Sequence, residues 1–363
     1  MRNYQKIKVD GIEYYIINSI QNLRAEDSFI FHKNKLEEFS GKGEARKYVG
    51  SYSGTNGQKL SEFFNYESWG NVKVNGKRTY PIIQNNNCFF SKNNLLKYLD
   101  DAKMEYIKQE QIYKDNISNL FKVNLERVNS LEKNNNFFSI YDVSDFIDNK
   151  QSRGYIRSDD KIWDIWRKLV LPKISYLSIL KIVKIEDIEH ESPLFYFRIL
   201  LDYQFRSIVH PKSLINVENE IEEEIPKEAI AKYRKGATNY RRKVIEHMPQ
   251  CPFTKISDER LLIASHIKPY NICIKEDKEN EALDYLNGLS LSPTYDKLFD
   301  QGYITFTNKG ELVCGTQLSP YTWEKLNINP NSKNIMRIFL EDREYYLEYH
   351  RNHVFQDDIN NII

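Results

Sequence analysis

Leu261-Leu262-Ile263-Ala264-Ser265-His266, Asn287-Gly288-Leu289-Ser290-Leu291 and Ser292-Pro293-Thr294-Tyr295-Asp296-Lys297-Leu298-Phe299-Asp300 follow one another between residues 261 and 300. The first run reads as an apolar strand with a polar tip and the second as another short strand. The third reads as a helix, with Ser292 as N-cap and Pro293 at the first helical position. Asp296 and Asp300 are four residues apart, so a helix sets both carboxylates on one face. A histidine at a strand tip suits a general base, because its unperturbed pKa lies near neutrality, and aspartate oxygens suit a hard divalent cation. Strand, strand and helix in this order are what a one-metal phosphodiesterase needs.

Charge points the same way. The whole chain carries a formal net charge of only +1, but between Pro226 and Lys275 eleven Lys or Arg face four acids. A basic patch beside the proposed site indicates a polyanionic substrate. Arg234, Lys235, Arg241, Arg242, Lys243 and Lys268 are read as its phosphate contacts.

Working outward, 363 residues suffice for about two domains of ordinary size. The boundary is placed at the acidic stretch Glu218 to Glu224 and Pro226, giving a recognition region over 1–225 and a catalytic domain over 226–363. The fold class expected is α+β. Residues 1–100 read as strand-rich, with Asn75-Gly76 as a hairpin turn. Apolar residues at three- and four-residue steps predict one or two helices between Asp101 and Lys133, ended by Asn134-Asn135-Asn136, and a break near 101–136 would divide the region into two subdomains. Trp163, Trp166 and Leu169 suggest a helix; Leu194 to Leu201 is a buried strand or helix that periodicity does not classify. Lys227 to Glu246 reads as a helix interrupted near Gly236, and Phe253, Ile263, Leu291, Leu298 and Phe299 as the packing of the catalytic hairpin.

Cys88, Cys251, Cys273 and Cys314 are far apart with no C-x-x-C pair, so neither a disulfide framework nor a zinc ribbon is indicated. No apolar run approaches the ~20 residues needed to span a bilayer, and a cytoplasmic protein is expected.

Taken in order, Arg234-x-Gly236, Tyr240-Arg241, Cys251-x-x-Thr254, Ser265-His266-Ile267-Lys268-Pro269, Asn287-Gly288-Leu289-x-Leu291, Phe299-Asp300-x-Gly302 and the ending Tyr346-Leu347-x-Tyr349-His350-Arg351 resemble the ββα-metal, or HNH, endonuclease superfamily, in its restriction-type branch. The resemblance covers about residues 230 to 356. It implies that His266 is the general base and that Asn287 pins the loop between the strands. Asp296 and Asp300 would hold one Mg²⁺ or Mn²⁺ per active site. Ser265 stands where many members carry a further metal ligand. The implied partner is double-stranded DNA, cut to 5′-phosphate and 3′-hydroxyl ends, with a homodimer serving a palindromic site.

Members of the family often carry two C-x-x-C knuckles for structural zinc. Here those places hold Cys251 with Thr254 and Ser292 with Tyr295, and no structural zinc is expected. His350 and His353 read as structural, with backbone contact to DNA through His350 and Arg351 as the competing reading. Two other functions stay open: a DNA-binding protein whose catalytic chemistry has been lost, motivated by Ser265, and a nonspecific nuclease of a defence or toxin system.

Overall fold

The computed structural model describes the chain outside residues 1–3, 26–42, 50–62, 66–70, 76–77, 83–86, 110–118, 141, 149–150, 159, 188–191, 207–226, 333–341 and 363. It forms two compact units, Met1–Arg206 with Ser319–Lys325, and Ser207–Leu318 with Leu326–Ile363. The acidic stretch read as the boundary lies outside the described residues. The chain is α+β.

The first unit is built on a twisted sheet of β1 (Gln5–Val9), β2 (Ile12–Arg24), β3 (Gly43–Val49), β6 (Cys88–Ser91), β7 (Asn135–Phe138), β8 (Asp142–Asp148), β9 (Gln151–Ser158), β10 (Ser175–Lys184) and β11 (Leu194–Leu201). The order is β7-β6-β11-β10-β2-β3-β9-β8, with β1 also paired to β2. Strands β6 and β11 run parallel and the other pairs antiparallel. A separate hairpin, β4 (Asn71–Asn75) with β5 (Arg78–Ile82), brackets Gly76-Lys77, which lies outside the described residues.

Alternation along β11 assigns the faces. Phe195, Phe197, Ile199 and Leu201 join a large cluster with Phe90, Leu177 and Ile179, while Tyr196 joins a second cluster with Ile7, Ile16, Phe89 and Ile182. Helices α1 (Lys92–Gln109), α2 (Leu120–Asn129) and α3 (Lys161–Leu169) supply Leu95, Tyr98, Leu99, Val128, Trp163 and Trp166 to the large cluster. The segment from 194 to 201, left open between strand and helix by its apolar run, is thus a strand buried on both faces.

Helix α1 starts nine residues before the expected Asp101. Its first turn contains Asn93 and Asn94, poor helix formers. The Asn94 side chain instead bonds both polar groups of Ile199, donating to O at 3.2 Å and accepting from N at 2.9 Å, which docks the helix on β11. The asparagine run expected to end a helix at 134–136 opens β7, because Phe137 and Phe138 find cross-strand partners in Phe89 and Cys88.

The second unit begins with α4 (Lys227–His247), which is continuous. The interruption expected at Gly236 does not occur. A Cβ at Gly236 would meet Leu283 Cδ2 at 2.9 Å, so this glycine serves close packing. Next come β12 (Ile263–His266), α5 (Tyr270–Lys275), α6 (Glu279–Leu283), β13 (Gly288–Leu291) and α7 (Pro293–Asp300). Ile263, expected to pack inside, is 38 % exposed. The hairpin β14 (Ile304–Phe306) and β15 (Leu312–Cys314) follows, and α8 (Pro320–Lys325) falls with the first unit. Helix α9 (Glu344–Tyr349) closes the second unit and runs on into a π-turn, His350–Val354. His350 is buried, stacked on Phe299 with ring centroids 3.8 Å apart, with its Nε2 3.0 Å from the Phe299 carbonyl. It serves the domain's packing.

Candidate active site

Strands β12 and β13 pair antiparallel, with His266 opposite Gly288 and Ser265 opposite Leu289. Pro293 follows at the first position of α7 with Ser292 as N-cap, although the Ser292 side chain makes no capping bond. Its hydroxyl lies 3.6 Å from the Cys251 thiol instead. Beside it, Phe253 stacks on Tyr295 with ring centroids 4.5 Å apart. Cys251 and Ser292 are thus joined by a hydrogen bond, and Tyr295 is held by a ring stack.

His266 projects from the tip of β12, half-buried. Its Nε2 lies 2.9 Å from the Ala282 carbonyl. A carbonyl only accepts, so Nε2 carries the proton and Nδ1 presents the lone pair. The ring lies flat against Tyr240 of α4, with centroids 4.4 Å apart and planes 10° apart, and Tyr270 meets it edge-on at 5.9 Å. Burial pushes the imidazole pKa below its usual value and the Ala282 carbonyl only partly offsets this, so the ring is neutral at pH 7.

Asn287 is fully buried at the entry to β13. Its Oδ1 accepts from the Lys268 amide at 2.7 Å, and its Nδ2 donates to the Lys268 and Glu281 carbonyls, both at 3.0 Å. One side chain thereby fastens both ends of the loop between the strands. Tyr240 donates its hydroxyl to the Asn287 carbonyl at 3.1 Å, so the ring that stacks on His266 is itself anchored.

Strand β12 packs against α7, which brings Ser265, the residue before His266, beside the Asp296 carboxylate. Burial raises the Asp296 pKa, with Ser265 and Lys297 opposing. Burial also raises that of Asp300, and the Asp296 charge raises it further. Two desolvated carboxylates that repel one another favour a cation between them, and their oxygens suit a hard divalent ion. No group of three or more His, Cys, Asp or Glu converges as a metal cage among the described residues.

Residues 251–307 match the HNH endonuclease family model. This segment is an HNH endonuclease domain. No curated protein matches the chain. The match points to nuclease activity on DNA, in a family whose members generally use a divalent metal. Among the described residues, no helix is long and apolar enough to cross a membrane.

The cations assigned to DNA divide on inspection. Arg242 and Lys243 of α4 are exposed, with Arg242 paired to Glu246 at 2.5 Å. The side chains of Arg234 and Lys235 lie outside the described residues. Two assignments need correction. Arg241 turns inward and donates to the carbonyls of Glu259 and Leu262, tying α4 to the approach to β12. Lys268 is 1 % exposed, with its ammonium 2.6 Å from both Glu276 and Glu281, so it does not face a substrate. The sequence offers no site role for Tyr270 or the Ala282 carbonyl, and it marks Tyr240 only as a piece of the motif order, with no role. A backbone carbonyl leaves no residue-type signal, Tyr240 stands in the motif order without a chemistry attached to it, and Tyr270 is marked only by lying near the motif.

Proposed function

We propose that this protein is a metal-dependent DNA endonuclease of the restriction type, acting in the cytoplasm. The HNH domain would cut, and residues 1–225 would recognise sequence or base modification. One observation carries the reading: the Nε2–Ala282 bond leaves Nδ1 of a neutral His266 as a proton acceptor, on a strand packed against the carboxylate-bearing helix.

In this mechanism His266 Nδ1 takes a proton from water as the water oxygen attacks the scissile phosphorus. The bond from phosphorus to the 3′ oxygen then breaks, and the departing oxygen takes a proton from solvent water, leaving a 5′-phosphate and a 3′-hydroxyl. Asn287 and Tyr240 keep the imidazole aimed through the step. Asp296 and Asp300 would hold Mg²⁺ or Mn²⁺, with water and phosphate oxygens completing its shell. Such an ion supplies charge neutralisation at the phosphoryl group and stabilises the leaving oxygen. Ser265 sits beside Asp296 in this scheme, within reach of the cation's shell. The exposed cations of α4, Arg242 and Lys243, with Arg234 and Lys235, would contact backbone phosphates. One HNH centre cuts one strand, so double-strand cleavage at a palindrome would take a homodimer.

The test is incubation of the purified chain with methylated and unmethylated phage λ DNA, with Mg²⁺, Mn²⁺ or EDTA, read on a gel. Discrete metal-dependent bands support a sequence-specific endonuclease. A smear supports a nonspecific nuclease, and binding without cutting supports a domain that has lost its chemistry.

A further inference from the structure

The loop that carries the Ala282 carbonyl folds around a buried ammonium. Lys268 Nζ lies 2.6 Å from Oε2 of both Glu276 and Glu281. Glu276 caps the C-terminus of α5 and Glu281 lies in α6, so the buried charge joins the two helices of the loop, with the exposed Lys278 as a second bridge 3.1 Å from Glu276 Oε2 and 3.7 Å from Glu281 Oε1. The backbone of Lys268 is held on both sides by Asn287. Glu281 is bonded to Asn287 through its carbonyl, and the next carbonyl along, that of Ala282, receives His266 Nε2.

The enclosure is completed from beyond the matched 251–307 segment. The rings of Tyr345 and Tyr349, in α9, lie 5.8 and 5.1 Å from the Lys268 ammonium. Tyr345 also donates to Glu281 Oε1 at 3.2 Å, and Tyr346 to Asp284 Oδ2 at 2.8 Å. Two carboxylates and two ring faces compensate a charge that would otherwise be costly to bury. Removing the ammonium would leave Glu276 and Glu281 bridged only by the exposed Lys278, with the buried side of the loop uncompensated and Glu281 freer to shift the carbonyl beside it.

We infer that Lys268, clamped by Glu276 and Glu281 and enclosed by Tyr345 and Tyr349, is a positioning residue for His266, fixing the Ala282 carbonyl and through it the imidazole tautomer that leaves Nδ1 free. Its effect on rate rests on the nuclease reading, whereas its effect on the tautomer does not. The catalytic unit accordingly extends to α9.

The experiment uses full-length protein labelled with ¹⁵N-histidine, as wild type, Lys268→Met, Lys268→Arg and Glu281→Gln, each checked for a cooperative thermal transition. Long-range ¹H–¹⁵N spectra read the His266 tautomer. Single-turnover cleavage and DNA affinity are measured in parallel. Lys268→Met is expected to convert a single Nε2–H tautomer into an averaged pair and to slow cleavage about 10- to 100-fold. DNA affinity should stay within about twofold of wild type, and Lys268→Arg should recover part of the rate.

An unchanged tautomer in folded Lys268→Met overturns the inference. So does a loss of DNA affinity as large as the loss of rate, which would make Lys268 a phosphate contact. Should Lys268→Met fail to fold, Glu281→Gln, which keeps the volume and removes the charge, is read against the same outcomes. If wild type cuts no DNA, the nuclease reading fails and the tautomer still decides the positioning role.

Discussion

The phenol ring of Tyr240 and the imidazole of His266 lie face to face, 4.4 Å between centroids and 10° between planes, joining a helix outside the matched segment to the tip of its first strand. In the proposed mechanism the electron-rich face of the phenol would stabilise the imidazolium formed when His266 takes its proton. The stack also prevents rotation about the side-chain bonds, and the Tyr240 hydroxyl extends the restraint to Asn287.

Tyr240→Leu, which removes both stack and hydroxyl, should therefore slow single-turnover nicking by about 10- to 100-fold with little change in DNA affinity. Tyr240→Phe keeps the stack and should lose much less. Native rates in Tyr240→Leu would show that the stack is incidental.

The acid limb of the pH–rate profile reports the base. His266 must be neutral to act, and burial holds its pKa below the usual 6.5. Activity in kcat/KM should persist as pH falls to 6.5 and be lost only below it. The same depression lowers stability as pH drops from the unfolded-state value toward the folded one, because the unfolded chain takes up the proton first. An acid limb centred above 6.5 would contradict the assignment.

Asp296→Asn and Asp300→Asn each remove one of the two charged donors proposed for the cation. Calorimetric titration with Mn²⁺ should show affinity falling by roughly tenfold or more in either variant. Unchanged affinity in Asp296→Asn would place the ion elsewhere.

Much of this arrangement is legible in the sequence, because the hairpin is local. The apolar run from Leu261 to Ile263 ending in the polar tip at His266, Pro293 after Ser292 and the four-residue step from Asp296 to Asp300 all act over one or two turns of chain. What is hidden acts at long range. Residue 282 is an alanine like any other until its carbonyl meets His266, and Tyr240 reaches the site from 26 positions upstream. Lys268 looks like a basic residue in a basic stretch, and only the fold brings Glu276 and Glu281 against it. In the first unit, β6 pairs with β11 across more than a hundred residues, a pairing that no local period signals.

Gly288 gives a stability test of the same packing. A Cβ there would lie 2.5 Å from Val244 Cγ2 and 2.7 Å from Tyr240 Oη, opposite His266 in the strand register. Gly288→Ala should destabilise the domain by about 1–3 kcal/mol in urea denaturation, as overpacking of a close contact does. A neutral effect would mean that α4 is free to move away from the hairpin.

The central claim, that His266 is the base of a working nuclease, is tested most directly with supercoiled plasmid DNA, Mg²⁺ or Mn²⁺, and two proteins, wild type and His266→Ala. The account predicts metal-dependent nicking by wild type and none by His266→Ala, with both binding the plasmid equally in gel shift. Nicking by His266→Ala at the wild-type rate would contradict it.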